Sequence, residues 1–139
     1  MYNTLKKLLL LLALLLLLSA CEDKAIVKIH NKKILDTKIE CMNLLVFPPD
    51  EAIEKTLHSF YNFKKECPLT LHVSYKSSIV CNSTHNVSRK AVGMPSGYLR
   101  LEIKEGTQLF YSYYVDLDEL LGAKQLEEGF TRLERDVNN

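Results

Sequence analysis

Apolar and polar positions alternate, lapse and recur along the chain, and this pattern marks its elements. Ile26, Val27 and Ile29 predict a short strand over residues 25–30, with a turn at Asn31-Lys32-Lys33. Residues 34–47 are strand-like. Leu35, Thr37, Ile39, Cys41, Leu45 and Phe47 share one parity, and so one face of an extended chain. Asn43 puts a polar group on that face, which predicts a bulge or strand break nearby. Pro48-Pro49 then stops the strand, because proline cannot donate to a sheet ladder. Asp50 suits a helix N-cap, and Glu51 and Glu54 suit the positive end of the helix dipole. Ile53, Leu57, Phe60 and Lys64 fall on one stripe with Ala52 and Tyr61 beside it, so the spacing predicts an amphipathic helix over about 50–65. Pro68 prevents its continuation.

Strand periodicity returns at Leu69, Leu71, Val73, Tyr75, Ile79 and Cys81, as one long strand or as a hairpin turning near Lys76-Ser77-Ser78. It lapses over 82–95, where Asn, Ser, Thr, Gly and Pro predict a long surface loop. Residues 98–104 and 108–115 predict a hairpin around Glu105-Gly106-Thr107. A three-residue loop pairs Ile103 with Leu109, Leu101 with Tyr111 and Leu99 with Tyr113, all on one face. Leu117, Leu120 and Leu121 predict a first helical turn that Gly122 interrupts. Leu126, Phe130, Leu133 and Val137 then recur at helical spacing. The expected fold class is α+β: a mostly antiparallel β-sheet with one amphipathic helix packed on it and a C-terminal helix.

The start of the chain is organised differently. Lys6 and Lys7 precede an unbroken apolar run over 8–18, and small residues then lead to a cysteine. That is the layout of a secretory signal peptide with a small-residue cleavage site. Leu18-Ser19-Ala20-Cys21 resembles the lipobox of bacterial lipoproteins. The resemblance covers the first twenty-one residues only, and the remaining 118 are not assigned to a family by their motifs. It implies cleavage after Ala20 and a diacylglyceryl thioether on Cys21, with acylation of the new amino group. Two or three acyl chains give stable anchoring where one gives marginal binding. The apolar run is short for a transmembrane span, which needs about 20 apolar residues, and Glu22, Asp23 and Lys24 follow at once. The competing reading is ordinary secretion, with Cys21 in a disulfide. In enteric-type sorting an aspartate directly after the cysteine favours the inner membrane; Glu22 there leans towards the outer membrane, facing the periplasm.

On that reading residues 1–20 are a cleaved signal, 21–24 a lipidated N-terminus and very short tether, and 25–139 a single domain. Of 18 basic residues Lys6 and Lys7 leave with the signal, so 16 remain against 17 acidic ones. So balanced a surface gives no argument for nucleic acid. No Ser/Gly/Pro-rich stalk follows Cys21, so the domain is expected close to the bilayer. Cys41, Cys67 and Cys81 remain, and an exported, oxidising compartment makes one disulfide the default. Sequence cannot choose the pair; Cys67 and Cys81, flanking a possible hairpin, are preferred.

Few constellations suggest chemistry. Cys67, His72, Cys81 and His85 offer sulfur and imidazole of the kind that holds zinc or cuprous copper. Their spacing is not that of a zinc finger, and a disulfide with two exposed histidines explains them as well; no metal or cofactor is expected. A spare thiol near His30, His58 or His72 could serve as a nucleophile, but nothing flanking the cysteines resembles a catalytic turn. Ser96, between Pro95 and Gly97, lacks the surroundings of a nucleophile elbow. The sequons at Asn82 and Asn86 carry no weight in a bacterial chain.

The outer face of the hairpin is the most suggestive surface. Tyr98, Arg100, Phe110 and Tyr114 are expected to cluster there, and aromatic residues with arginine are enriched at binding hot spots. The competing expectation is that the C-terminal helix covers this face with Leu126, Phe130 and Leu133. The functional expectation is a small non-enzymatic lipoprotein, a binding or scaffold module with a protein partner at the cell envelope. The alternatives are an inhibitor, immunity or exclusion lipoprotein against a secreted hydrolase or effector, and a metal-binding or redox lipoprotein.

Overall fold

Five strands make one sheet in the computed structural model, which describes residues 6–7, 24–77 and 97–138. In chain order the elements are β1 (Ile26–Ile29), α1 (Lys33–Asp36), β2 (Asn43–Phe47), α2 (Glu51–Phe60), β3 (Leu69–Lys76), β4 (Gly97–Glu105), β5 (Gln108–Leu117) and α3 (Ala123–Val137). The sheet order is β1-β5-β4-β3-β2, and every pair is antiparallel except β2 and β3. The fold is α+β, with a mostly antiparallel sheet and a C-terminal helix. Apart from Lys6 and Lys7 the signal segment lies outside the described residues, as do the 82–95 loop, Cys21, Cys81 and His85.

One face of the sheet is the core. Leu71, Val73, Leu99, Leu101, Ile103, Tyr111 and Tyr113 point into it, and the helices add Ile34, Ile53, Leu57, Leu126, Phe130, Leu133 and Val137. Asp50 caps α2 as its sequence predicts: Oδ1 accepts from the Ala52 and Ile53 amides at 2.8 and 3.1 Å. The helix stops at Phe60 rather than near 65. Tyr61 is extended, and Phe63 turns inward to meet Phe130 edge-on at 6.1 Å. Lys64, expected on the helix stripe, lies past its end and donates its amide to Met42 O at 2.9 Å.

Helix α3 buries the four residues its spacing predicts, together with Gly129. A Cβ at Gly129 would lie 3.0 Å from Leu101 Cδ1 and 3.1 Å from Tyr113 Cε1, so glycine lets the helix sit close on β4 and β5. The expected helical turn at Leu117 to Leu121 does not form. Leu117 ends β5, Leu120 is exposed, and α3 starts after Gly122, whose amide donates to Gln125 Oε1 at 3.0 Å.

Three further expectations need correction. Residues 34–47 are not one strand: a helical turn, α1, occupies Lys33–Asp36, and only Asn43–Phe47 is extended. The buried positions there are Ile34, Met42 and Val46, while Leu45 and Phe47 are 50% and 69% exposed. Leu44-Leu45-Val46-Phe47 is apolar on both parities, so periodicity could not choose its face. The second correction is the hairpin register. Gly106, at φ +58°, makes a tighter turn with Thr107, and Glu105 pairs with Gln108. Ile103 therefore faces Tyr111, Leu101 faces Tyr113 and Leu99 faces Val115.

The third correction is the disulfide. Cys67 bonds to Cys41, not to Cys81. Asn43 and Thr70 are register partners in the parallel pair, so the bond closes the β2-α2-β3 unit at the end where both strands begin. Cys41 and Cys67 are distant in sequence, and the parallel pairing brings them together.

Candidate functional site

The other face of the sheet is built from the alternate residues of all five strands. Register aligns Ile26, Tyr114, Arg100, Ser74 and Phe47 in one row, and Lys28, Ser112, Glu102, His72 and Leu45 in the next. Leu126, Phe130 and Leu133 pack into the core on the opposite side, so α3 does not cover this face. It carries aromatic, aliphatic and charged groups together.

Tyr98, Arg100 and Tyr114 do come together. The two rings stack with centroids 5.7 Å apart and planes 21° from parallel. The Arg100 guanidinium carbon lies 5.9 Å from the Tyr98 centroid and 5.6 Å from that of Tyr114, within cation–π range. The Tyr114 hydroxyl donates to Asp116 Oδ1 at 2.9 Å. That bond, with burial second, pushes the hydroxyl above its ordinary pKa. The cluster is thus oriented from within the sheet, with Arg100 itself exposed.

Phe110, expected in this cluster, is not part of it. Lys104 pairs with Leu109 while Ile103 pairs with Tyr111, which leaves Phe110 as the extra residue of a bulge. The bulge re-aims its ring into the core, where it is 4% exposed. Sequence reasoning missed Asp116, which holds Tyr114, and the exposed Ile26, Leu45 and Phe47 of the two edge strands. Asp116 was legible from hairpin parity; the edge residues were not, because their strands carry no clean alternation.

A polar group lies beside the aromatic one. Lys104 Nζ pairs with Glu102 at 2.6 Å, and His72 stands opposite Glu102. Burial, then the charge of Lys104, lower the His72 pKa, against an opposing pull from Glu102. His30 Nε2 and Ser112 Oγ lie 2.9 Å apart. A serine nucleophile also needs its base oriented by a third group. Among the described residues no carboxylate bonds to His30, and the pair sits on an open surface.

No group of three metal-ligating side chains exists among the described residues. Of the proposed set, Cys67 is consumed by its disulfide and His72 faces Glu102 and Lys104. Among the described residues the surface hollows are open to solvent. One of about 460 Å³ is lined by Leu35, Lys38, Ile39, Val137 and Asn138, and it gathers no catalytic set. Among the described residues no helix is long and apolar enough to cross a membrane.

No family model matches the chain, and no curated protein or solved structure matches it.

Proposed function

We propose that this chain is a lipid-anchored bacterial envelope protein, non-enzymatic, that works as a binding or scaffold module through its open sheet face. The anchor half of the reading rests on Leu18-Ser19-Ala20-Cys21 behind an apolar run. The binding half rests on one observation: Tyr98, Arg100 and Tyr114 are stacked on a sheet face that the helices leave open. Rigid aromatic rings with an arginine are the composition of protein hot spots, and they lose little conformational freedom on binding. Leu45 and Phe47 extend the apolar area to the β2 edge of the same face. The partner is a protein at the envelope, and no cofactor takes part.

The test is a photoreactive residue in place of Tyr114, crosslinked in the native envelope and read by mass spectrometry. A reproducible protein adduct, lost on Arg100→Glu, is the expected result. An adduct with a secreted hydrolase would move the protein to the inhibitor class. Adducts with lipid and peptidoglycan alone would overturn the protein-binding reading.

A further inference from the structure

Strand β1, the sheet edge closest in sequence to Cys21, begins a stretch of distinctive composition. Lys24, Lys28, Lys32 and Lys33 fall within ten residues that contain no acidic group, and all four are exposed. Ile26 at 67% and Ile29 at 38% exposure are interleaved with them, and Leu35 at 37% follows, extending the stretch to residue 35. Six large hydrophobics are exposed among the described residues, and three of them lie in this one stretch. Strand β1 is the outermost strand, paired on one side only, by β5. The chain leaves its end through His30 and Asn31, whose amides both donate to Phe110 O, and turns directly into α1.

We propose that the strip from Lys24 to Leu35, strand β1 and helical turn α1, lies against the membrane and binds anionic phospholipid headgroups. The proposal rests on the lipid-anchor reading above. Two arguments choose lipid as the occupant. Ile26 is five residues after Cys21, so even an extended tether holds β1 within about 17 Å of the anchored sulfur. Lysines with interleaved aliphatic side chains are also the composition that partitions into a headgroup layer. Acidic groups oppose this at both ends, but at the far end only Asp36, the exposed last residue of α1, follows Lys32 and Lys33. Asp118 lies 4.0 Å from Lys24, and Glu22 and Asp23 precede it, so the attraction is concentrated at Lys28, Lys32 and Lys33. Docked this way, the domain keeps its β2 edge, with Leu45 and Phe47, away from the bilayer.

The mature lipidated protein, reconstituted on the outside of preformed vesicles, tests this directly. Its intact mass is measured first. An amine-acylating reagent then compares vesicles of phosphatidylcholine alone with vesicles that also contain phosphatidylglycerol, and peptide mass spectrometry reads each lysine. Lys28, Lys32 and Lys33 should react about fivefold more slowly with phosphatidylglycerol present, the change expected for one basic residue at an anionic surface. Lys55 and Lys65, exposed on α2 and beyond it, should not change, and high salt should remove the difference. Equal reactivity on both vesicles would overturn this proposal and leave the anchor intact. Protection that persists in neutral detergent would mean that a second copy covers the strip, and would overturn it too. A chain with no lipid mass on Cys21 would overturn the anchor reading and this one together.

Discussion

The Tyr111 hydroxyl donates to Asp136 Oδ2 at 3.0 Å, tying the middle of the sheet to the last turn of α3. Asp136 is held in turn by Arg132 Nε at 2.9 and 3.1 Å. Burial first, then this hydrogen bond and the Asp136 charge, raise the Tyr111 pKa far above its ordinary value. Burial also raises that of Tyr113, with the Glu128 charge second. A phenol favoured in its neutral form when folded binds its proton more tightly than the unfolded chain does. Stability should be level below about pH 10 and fall as pH rises beyond it. Tyr111→Phe should cost about 1 kcal/mol at neutral pH and flatten the alkaline decline. Urea unfolding across an alkaline series reads both; an unchanged alkaline slope would refute the assignment.

The Cys41–Cys67 bond spans 26 residues, with Cα atoms 5.7 Å apart. Cross-linking a loop of that length removes entropy from the unfolded chain worth about 3.5 kcal/mol. The Cys41→Ser and Cys67→Ser variants should each lose about that much, and the double variant no more than either. Non-reducing peptide mapping should return the Cys41–Cys67 peptide, and a Cys67–Cys81 peptide would contradict the structure.

His72 gives a prediction in the acid range. Its pKa is lowered by burial and by Lys104, so the neutral ring is favoured in the folded state. Stability should be complete above the ordinary histidine value of about 6.5 and fall as pH drops through that value towards the folded one. Lys104→Gln should raise the His72 titration midpoint, and Glu102→Gln should lower it. Proton NMR of the imidazole measures both shifts; the opposite sign in either variant would disprove the account.

Gly129 should resist enlargement. With Leu101 and Tyr113 already 3.0 and 3.1 Å from where a Cβ would stand, Gly129→Val must push α3 off the sheet. The expected loss is about 2 kcal/mol, as for other overpacked cores. A variant as stable as the parent would show that the helix sits further out.

Much of this molecule was legible in its sequence because local rules govern those parts. Asp50 capping α2 is short-range chemistry, and α3 follows from Leu126, Phe130, Leu133 and Val137 recurring at the helical period. Tyr98, Arg100 and Tyr114 shared a face because parity along two strands of a hairpin is fixed by the pleat. The α+β class followed from the order of such elements. What only the tertiary structure decided depends on contacts between distant residues or on register. Cys41 met Cys67 because β2 and β3 pair in parallel, and no spacing rule foretells a parallel partner. One extra residue in β5 sent Phe110 into the core and away from the open face. The run from Leu44 to Phe47 had apolar side chains for both faces, and burial of Met42 and Val46 in the common core left Leu45 and Phe47 to solvent.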